Sequence, residues 1–340
     1  MPVSIEKLPG IALLPFTDAK PFLKTELKER FGLDELNVTE YQDLMYFPEG
    51  LCQPVTASNP NAFSLPLSPD APSANPYWAK TVLFEPFLLH FDSISEAAGA
   101  LKGIQRNWAP YQYQLFRRAA LIQDKLPYIN LKPRKFPFTI PDSPMGCYTL
   151  IDSNTILASA STSTPLPCGT ITWIEDHENP PSRAYLKIQE SLVMSNLFFK
   201  TPIPSTGMRV FEAGACPGGW TWVFVNQGAQ VYAVDRAELA PQLMADPLVT
   251  FQAHDAFTLK PEEIGPCDFV VSDVICYPER LLEWVKVWLD SGLTKNMICT
   301  IKMQGGTNWE TVQAFADIPG SRVIHLNYNK HEFTWIHSQE

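Results

Sequence analysis

The segment that decides the fold runs from Met208 to Asp235 and reads MRVFEAGACPGGWTWVFVNQGAQVYAVD. A short apolar strand leads into a glycine-rich loop, a helix follows, and a second apolar strand ends in Asp235. Glycines let the backbone pass close to a ligand, and the first turn of a helix offers free N–H groups. The segment therefore predicts a strand–loop–helix–strand unit with a ligand site at the loop.

The alternation of apolar strands and helical segments continues to the end of the chain. Strands are predicted near residues 209–213, 230–234, 249–252, 268–272, 297–302, 322–326 and 333–337, and helices near 183–197, 219–227, 278–291 and 308–317. This α/β pattern is typical of a mostly parallel sheet with helices on both faces. The last two strands follow each other closely, which predicts an antiparallel hairpin at the end of a seven-stranded sheet.

Length and composition set the broad class. The chain has 340 residues, of which 45% are hydrophobic, enough for about two domains. Its seven cysteines include no CxxC pair, so neither a disulfide scaffold nor a zinc site is favoured and no metal is expected. No apolar run reaches the roughly 18 residues of a membrane span, and no signal peptide is recognisable. A cytoplasmic location is the expectation.

The N-terminal half has a different pattern, and the domain boundary is predicted at the HENPP loop, which gives domains of residues 1–176 and 177–340. Helical spacing covers Ala19 to Phe31, a strand region covers Thr81 to Phe91, and a short helix opened by a Ser cap covers Ser93 to Lys102. The stretch from Pro54 to Pro76 reads as a long loop. An α+β accessory domain is predicted here.

A basic segment lies between Lys102 and Lys135. The net charge of −10 means that nucleic acid would have to bind where basic residues are concentrated. In this segment eight basic residues face a single acid, Asp124, and aromatic residues are interleaved with them, as on surfaces that bind RNA. A solvated helix with inward-packed aromatics is the alternative. The candidate RNA contacts are Arg106, Arg117, Arg118, Lys132, Arg134 and Lys135.

Three acids follow three successive strands. Asp235 can accept both hydroxyls of a ribose, Asp255 can accept from an adenine amino group, and Asp273 ends the fourth strand. Each alone could be a cap or turn residue, but the carboxyl ends of such strands converge on one crevice. With the glycine loop they predict a nucleoside ligand, and an acidic rim suits a positive sulfonium. The candidate loop residues are Glu212, Gly214, Ala215, Cys216, Pro217, Gly218, Gly219 and Trp220.

Two segments make the prediction more specific. FEAGACPGGW (211–220) resembles the cofactor loop of the FtsJ-like ribose 2′-O-methyltransferases, and SRAYLK (182–187) resembles the segment that carries that family's first catalytic lysine. The resemblance covers the chain from Pro181 to its end. It implies a Rossmann-like methyltransferase fold, S-adenosyl-L-methionine as cofactor, and a catalytic tetrad of Lys187, Asp273, Lys302 and Glu332. Glu212 and Ala213 stand where Asp-Leu is usual, which could shift the methionine end of the cofactor.

The resemblance is greatest to the branch that modifies a cytidine of large-subunit ribosomal RNA and carries an N-terminal RNA-binding region with a THUMP module. Lys302 is the candidate contact of the ribose 2′-oxygen. Either it is neutral and takes the proton, or it stays charged and orients the oxygen while the proton leaves late. Lys187 could instead be a surface lysine paired with Glu190 at i+3. The sequence leaves both questions open.

Three other functional classes compete with this prediction. A nucleotide-binding oxidoreductase would carry phosphate-type glycine spacing, which is absent here. An inactive methyltransferase fold that serves as an RNA-binding module would lack part of the tetrad. Nitrogen-methylating enzymes often carry an NPPY-like segment after the fourth strand, and SDVICYP (272–278) does not fit it. A direct nucleotide contact by Tyr277 is left open, as are the RNA target and the oligomeric state.

Overall fold

The structure is a computed structural model that describes residues 3–33, 38–48 and 75–339. It divides into two compact units, residues 1–133 with 140–172 and residues 134–139 with 173–340. The sequence places the boundary at 176/177 and gives no sign that the short segment 134–139 groups with the second unit. The predicted loop from Pro54 to Pro76 lies outside the described residues except for its last two positions.

The first unit contains ten strands and three helices in its described part. The strands are β1 (Ser4–Lys7), β2 (Ile11–Pro15), β3 (Thr39–Tyr41), β4 (Leu44–Phe47), β5 (Ala79–Phe84), β6 (Phe87–His90), β7 (Trp108–Pro110), β8 (Gly146–Leu150), β9 (Thr155–Ser159) and β10 (Ser161–Thr162). The helices are α1 (Lys20–Phe31), α2 (Ile94–Ile104) and α3 (Phe116–Gln123). They form two five-stranded sheets, in the orders β1-β6-β9-β8-β7 and β10-β5-β2-β4-β3, with mostly antiparallel pairs.

The start of α2 follows from its sequence, and the strand region before it is divided in two. Ser93 Oγ accepts from the backbone N–H of Glu96 at 3.3 Å, and the Glu96 carboxylate accepts from the backbone N–H of Ser93 at 2.9 Å. This reciprocal pair is a capping box. The predicted strand region from Thr81 to Phe91 is confirmed, but Glu85 interrupts it with a left-handed conformation, φ of 46°. That turn divides the region into β5 and β6.

The second unit forms one seven-stranded sheet and confirms the predicted topology. Its strands are β11 (Arg209–Ala213), β12 (Gln230–Asp235), β13 (Val249–Ala253), β14 (Cys267–Ser272), β15 (Thr294–Lys302), β16 (Ser321–Ile324) and β17 (Glu332–Ser338). Its helices are α4 (Tyr185–Phe199), α5 (Gly219–Asn226), α6 (Pro241–Met244), α7 (Pro261–Ile264), α8 (Pro278–Ser291) and α9 (Trp309–Ala316). The short helices α6 and α7 are additions to the predicted pattern.

Strand order determines where a ligand can bind. The sheet runs β13-β12-β11-β14-β15-β17-β16, parallel from β13 to β15 and antiparallel at β17 and β16. The order reverses direction between β11 and β14, and open sheets bind ligands beyond the carboxyl ends of strands at such a point. Buried aromatic residues hold α8 on the sheet, where the Phe211 ring packs against Trp284 and Trp288. No helix within the described ranges is long and apolar enough to cross a membrane.

Candidate active site at the carboxyl edge of the sheet

Four charged side chains from four elements meet at this edge. Lys187 projects from the first turn of α4, Asp273 follows β14, Lys302 ends β15, and Glu332 begins β17. Lys302 and Glu332 are cross-strand partners in the antiparallel β15–β17 pair, so the sheet register itself sets them side by side. The structure therefore brings together all four members of the predicted tetrad.

The four groups form a closed ring of alternating charge. Lys187 Nζ lies 3.0 Å from Asp273 Oδ1 and 2.5 Å from Glu332 Oε1. Lys302 Nζ lies 2.7 Å from Asp273 Oδ1 and 2.8 Å from Glu332 Oε2. Each carboxylate therefore bridges both ammonium groups. An arrangement of this kind fixes the position of every member, because moving one group breaks two ion pairs.

Burial and charge set the protonation states in the ring. Burial acts to raise the pKa of Asp273, but the ammonium groups of Lys187 and Lys302 outweigh it and hold that pKa below its usual value. Burial acts to lower the pKa of Lys302, but Asp273 and Glu332 outweigh it and raise that pKa above its usual value. Lys302 is therefore an ammonium at neutral pH. Its side chain is 18% exposed, against 8% for Lys187, so Lys302 is the more accessible lysine.

Glu190 does not pair with Lys187, and the alternative of an i+3 surface pair is wrong. The Glu190 carboxylate is buried and accepts from Asn327 N at 3.0 Å, from Asn327 Nδ2 at 2.8 Å and from Tyr328 N at 3.1 Å. Burial raises its pKa to about 7. Helix α4 thus supplies Lys187 to the ring and also anchors the loop that leads to Glu332. The sequence left the pairing of Lys187 open, because nothing near Glu190 along the chain points to Asn327 or Tyr328.

The glycine loop after β11 needs its glycines because neighbouring segments approach closely. Gly214 has φ of 78°, and a Cβ there would lie 2.3 Å from Val274 Cγ2. Gly218 has φ of 105°, and a Cβ there would lie 2.2 Å from Leu243 Cδ1. L side chains rarely adopt such conformations. A Cβ on Gly219, which begins α5, would lie 2.4 Å from Ser182 Oγ.

The other loop residues face different surroundings. Ala215 is buried, Cys216 is exposed, and the Pro217 carbonyl accepts from Ala240 N at 3.0 Å. Trp220 is buried, and its indole N–H donates to the Ala184 carbonyl at 3.1 Å. The Trp220 side chain therefore faces the start of α4, which leaves its backbone as the part that can contact a ligand.

Asp235 and Asp255 already have partners. Asp235 Oδ2 accepts from Cys216 N at 3.0 Å and Oδ1 accepts from Ala237 N at 3.1 Å, so this carboxylate connects the glycine loop to the end of β12. Asp255 Oδ2 lies 2.7 Å from Arg236 Nη2 and 3.5 Å from Arg280 Nη2. Burial acts to raise the pKa of Asp255, but these guanidinium groups and the Phe257 N–H outweigh it and lower that pKa.

Glu212 is a buried carboxyl at the end of β11. Its Oε2 accepts from Thr221 Oγ1 at 2.6 Å, and burial, together with the charges of Asp273 and Asp235, raises its pKa to about 8. Three carboxyl groups therefore influence one another in one crevice. The carboxylates of Asp235 and Asp273 suit a ligand with a sulfonium and an ammonium, and Asp235 offers acceptors for ribose hydroxyls. The residues present fit S-adenosylmethionine.

The six candidate RNA contacts are divided between the two units. Arg106, Arg117, Arg118 and Lys132 belong to the first unit, and Arg134 and Lys135 belong to the second. Arg118 is half-buried with its guanidinium 5.4 Å from the Phe91 ring, and Arg134 is half-buried with its guanidinium 5.0 Å from the Phe138 ring. The other four side chains are exposed. Among the described residues, no group of three or more His, Cys, Asp or Glu is arranged to hold a metal.

Comparison with known proteins gives a consistent result. Residues 180–297 match the family model of the FtsJ-like methyltransferases. A ribosomal RNA large subunit methyltransferase M from Hahella chejuensis is 29% identical over 263 residues, which cover 72% of this chain and 63% of that protein. Proteins of the same name are 30% identical in Xanthomonas campestris pv. campestris (66% of this chain, 61% of that protein) and 38% identical in Xylella fastidiosa (38% and 37%).

The chain spans less than two thirds of the length of these relatives, 63% of the Hahella protein and 61% of the Xanthomonas protein. The matched segment contains α4 through the first four residues of β15, and with it Lys187, the glycine loop and Asp273. The sheet order described above is that of a Rossmann-like methyltransferase, whose methyl donor in this family is S-adenosylmethionine. Residues 180–297 of this chain form an FtsJ-like methyltransferase domain.

Proposed function

We propose that this protein transfers a methyl group from S-adenosylmethionine to the 2′-hydroxyl of a ribose in large-subunit ribosomal RNA. The observation that carries the proposal is the closed ring of Lys187, Asp273, Lys302 and Glu332 at the carboxyl edge of the sheet, next to the glycine loop. The names of the relatives support ribosomal RNA as the substrate. A ring with all four charges present argues against an inactive methyltransferase fold.

Lys302 is the residue that contacts the acceptor oxygen. S-adenosylmethionine supplies an electrophilic methyl group on a sulfonium centre. Lys302 is the more accessible of the two lysines, and its raised pKa keeps it protonated, so it donates a hydrogen bond to the 2′-oxygen and leaves a lone pair free for attack. The charged version of Lys302 is therefore favoured over the neutral base. The hydroxyl proton leaves late, when transfer of the methyl group has made the oxygen acidic, and it passes to solvent water.

The other three residues hold Lys302 in place. Asp273 and Glu332 each bridge both lysines, and Lys187 supplies the second positive charge that keeps the two carboxylates together. Positioning of this kind lowers the barrier because the reacting oxygen is already oriented when the donor binds. Asp235 and Glu212 would hold the ribose and methionine parts of the donor, and the backbone of the glycine loop would lie against it.

The exposed basic residues of the first unit are proposed to bind the RNA backbone. Arg106, Arg117 and Lys132 are exposed there. Phe116 and Tyr128 lie in the same stretch and are 59% and 78% exposed, which suits stacking of unpaired bases. This surface supplies local positive charge in a chain with a net charge of −10. A THUMP module in this unit stays a prediction.

The experiment that tests the function is tritiated methyl transfer to ribosomal RNA from a strain that lacks the protein, followed by nucleoside analysis. We expect one 2′-O-methylated nucleoside that is absent when RNA from the wild-type strain is used. The same assay with assembled large subunits controls for a substrate that forms only on assembly. Labelled base-methylated nucleosides, or cofactor binding without transfer to either substrate, would contradict the proposal.

A further inference from the structure

Two large apolar side chains are exposed immediately after Asp273. Ile275 is 80% exposed and Tyr277 is 65% exposed, whereas Cys276 between them is buried. The two exposed side chains are thus separated by a single buried residue. Leaving an aromatic ring and an aliphatic side chain exposed forgoes the free energy of burying them. Exposed apolar side chains next to an active site indicate a surface that a ligand covers.

The segment from Val274 to Tyr277 lies between the two parts of the active site. Val274 packs so closely against Gly214 that no side chain could replace the glycine hydrogen there. Val274 directly follows Asp273, whose carboxylate contacts both Lys187 and Lys302. The segment therefore begins at the ring of charges and contacts the cofactor loop.

The segment is also held in a fixed conformation. Tyr277 has φ of −64° and ψ of 139° and precedes Pro278, the first residue of α8, and its carbonyl accepts from Leu281 N at 3.2 Å. A proline at this position restricts the residue before it to extended conformations. The ring of Tyr277 is thus presented from a rigid helix start, which lowers the entropy lost when a partner stacks on it.

The chemistry of the acceptor determines what can cover these side chains. In a nucleotide the base is attached to the ribose carbon next to the one that carries the 2′-hydroxyl. When the 2′-oxygen lies at Lys302, the base must lie beside the ring of charges, and Tyr277 is at most about 14 Å from Asp273 along the chain. A base in a duplex is stacked and unavailable, so a ribose that enters a recessed site carries an unstacked base with it.

We propose that Tyr277 and Ile275 form the subsite for the base of the acceptor nucleotide, with the Tyr277 ring stacked on the base and Ile275 covering its edge. This inference rests on the proposed function and adds a substrate feature to it: the acceptor is an unpaired nucleotide in a single-stranded segment. Stacking tolerates any base because every base has an aromatic face. Residues other than Ile275 and Tyr277 must therefore select among the bases.

The test compares Tyr277→Ala, Tyr277→Phe and Ile275→Ala for kcat/KM on the RNA substrate and for cofactor affinity by calorimetry. Val287→Ala is the matched control, because Val287 is a 52% exposed apolar residue of α8 away from its first turn. We expect Tyr277→Ala to lower kcat/KM about 10- to 100-fold, and Tyr277→Phe to stay within about threefold, because only the first removes the stacking ring. Cofactor affinity should be unchanged in all four variants.

Two results would overturn the subsite while leaving the function intact. In the first, the wild type transfers methyl groups and Tyr277→Ala does so with the same kcat/KM. In the second, Tyr277→Ala weakens cofactor binding by the same factor as kcat/KM, which would make Tyr277 part of the cofactor site. Absence of transfer by the wild type to any RNA would overturn the subsite and the proposed function together.

Discussion

The ring of charges in the second unit and the basic segment of the first unit are both rich in charge but are built differently. In the ring, residues as far apart as Lys187 and Glu332 come within 2.5 Å, and every charge faces two opposite charges. In the basic segment Arg106, Arg117 and Lys132 project into solvent. A fixed ring can orient one reacting atom, whereas exposed side chains supply a general attraction for phosphate. Substitutions in the two regions should therefore have different consequences.

The largest expected effect is from Lys302→Ala. We expect transfer to fall by roughly 1,000-fold or more with cofactor affinity near that of the wild type, since the variant loses both orientation and charge at the acceptor oxygen. Lys295→Ala is the matched control, because Lys295 is an exposed lysine near the other end of the same strand. Single-turnover transfer with labelled donor measures the effect. Turnover close to that of the control would show that the ring does not perform the chemistry.

A smaller effect is expected from Glu190→Gln. The amide keeps the shape of the carboxyl but offers one acceptor oxygen in place of two, so the hydrogen bonds to the 327–328 loop weaken and Glu332 is less well placed. We expect kcat to fall about 10-fold while KM for RNA changes little, with Glu283→Gln on the exposed face of α8 as control. Since burial raises the pKa of Glu190 to about 7, the variant should also have a flatter pH–rate profile between about pH 6 and 8. An unchanged profile and kcat would make Glu190 purely structural.

Charge reversal in the basic segment should lower the affinity for RNA moderately, by an amount that depends on salt. For Arg117→Glu with Lys125→Glu we expect RNA affinity to fall about 10-fold and the slope of log affinity against log salt to decrease by about 2. The same reversal at Lys286, an exposed lysine of α8, is the control. Arg118→Glu should mainly lower thermal stability, because its guanidinium lies over the Phe91 ring. If the double variant binds RNA as the wild type does, the RNA surface lies elsewhere.

The smallest expected effect is on the stability of the fold and concerns Glu212. The pKa of Asp273 in the ring is lowered, whereas the pKa of Glu212 is raised. Its folded pKa of about 8 lies above its ordinary 4.5, so the native state keeps a proton that the unfolded state loses, and stability falls as pH rises from about 5 to 8. In Glu212→Gln that contribution is absent, and the cofactor-free variant should be more stable than the wild type at pH 8.5 by on the order of 2 kcal/mol. Thermal unfolding at pH 5.5 and 8.5 measures the difference. A variant that loses stability at both pH values would show that Glu212 is ionised in the fold.

What the sequence could predict differs between the same two regions. Asp235 and Asp273 could be placed beside the glycine loop because parallel strands put their carboxyl ends at one edge of the sheet. Lys187, Lys302 and Glu332 were assigned through the resemblance to the FtsJ-like family, since strand order alone does not single them out. The role of Glu190 could not be predicted, because its partners, Asn327 and Tyr328, are more than a hundred residues away and no local pattern points to them. Arg118 and Arg134 were grouped with exposed neighbours, since a charge count does not report that a guanidinium packs on an aromatic ring.

The division of the chain also depends on contacts that no local pattern encodes. The segment 134–139 groups with the second unit, where Arg134 bridges to Trp173 and the Arg134 carbonyl accepts from Ile174 N at 2.7 Å. Composition places this segment with the basic residues before it. Backbone pairing between short extended pieces has little sequence signature, so it becomes visible only in the structure.

The measurement that tests the central claim most directly uses an RNA in which the mapped acceptor nucleotide is replaced by its 2′-deoxy form. The two RNAs differ by one oxygen atom, the atom that we place at Lys302. The account predicts labelled methyl transfer to the ribose form and none to the deoxy form, although both RNAs should bind with similar affinity. Equal transfer to the two RNAs would contradict the account, because the methyl group would then be going to a different atom.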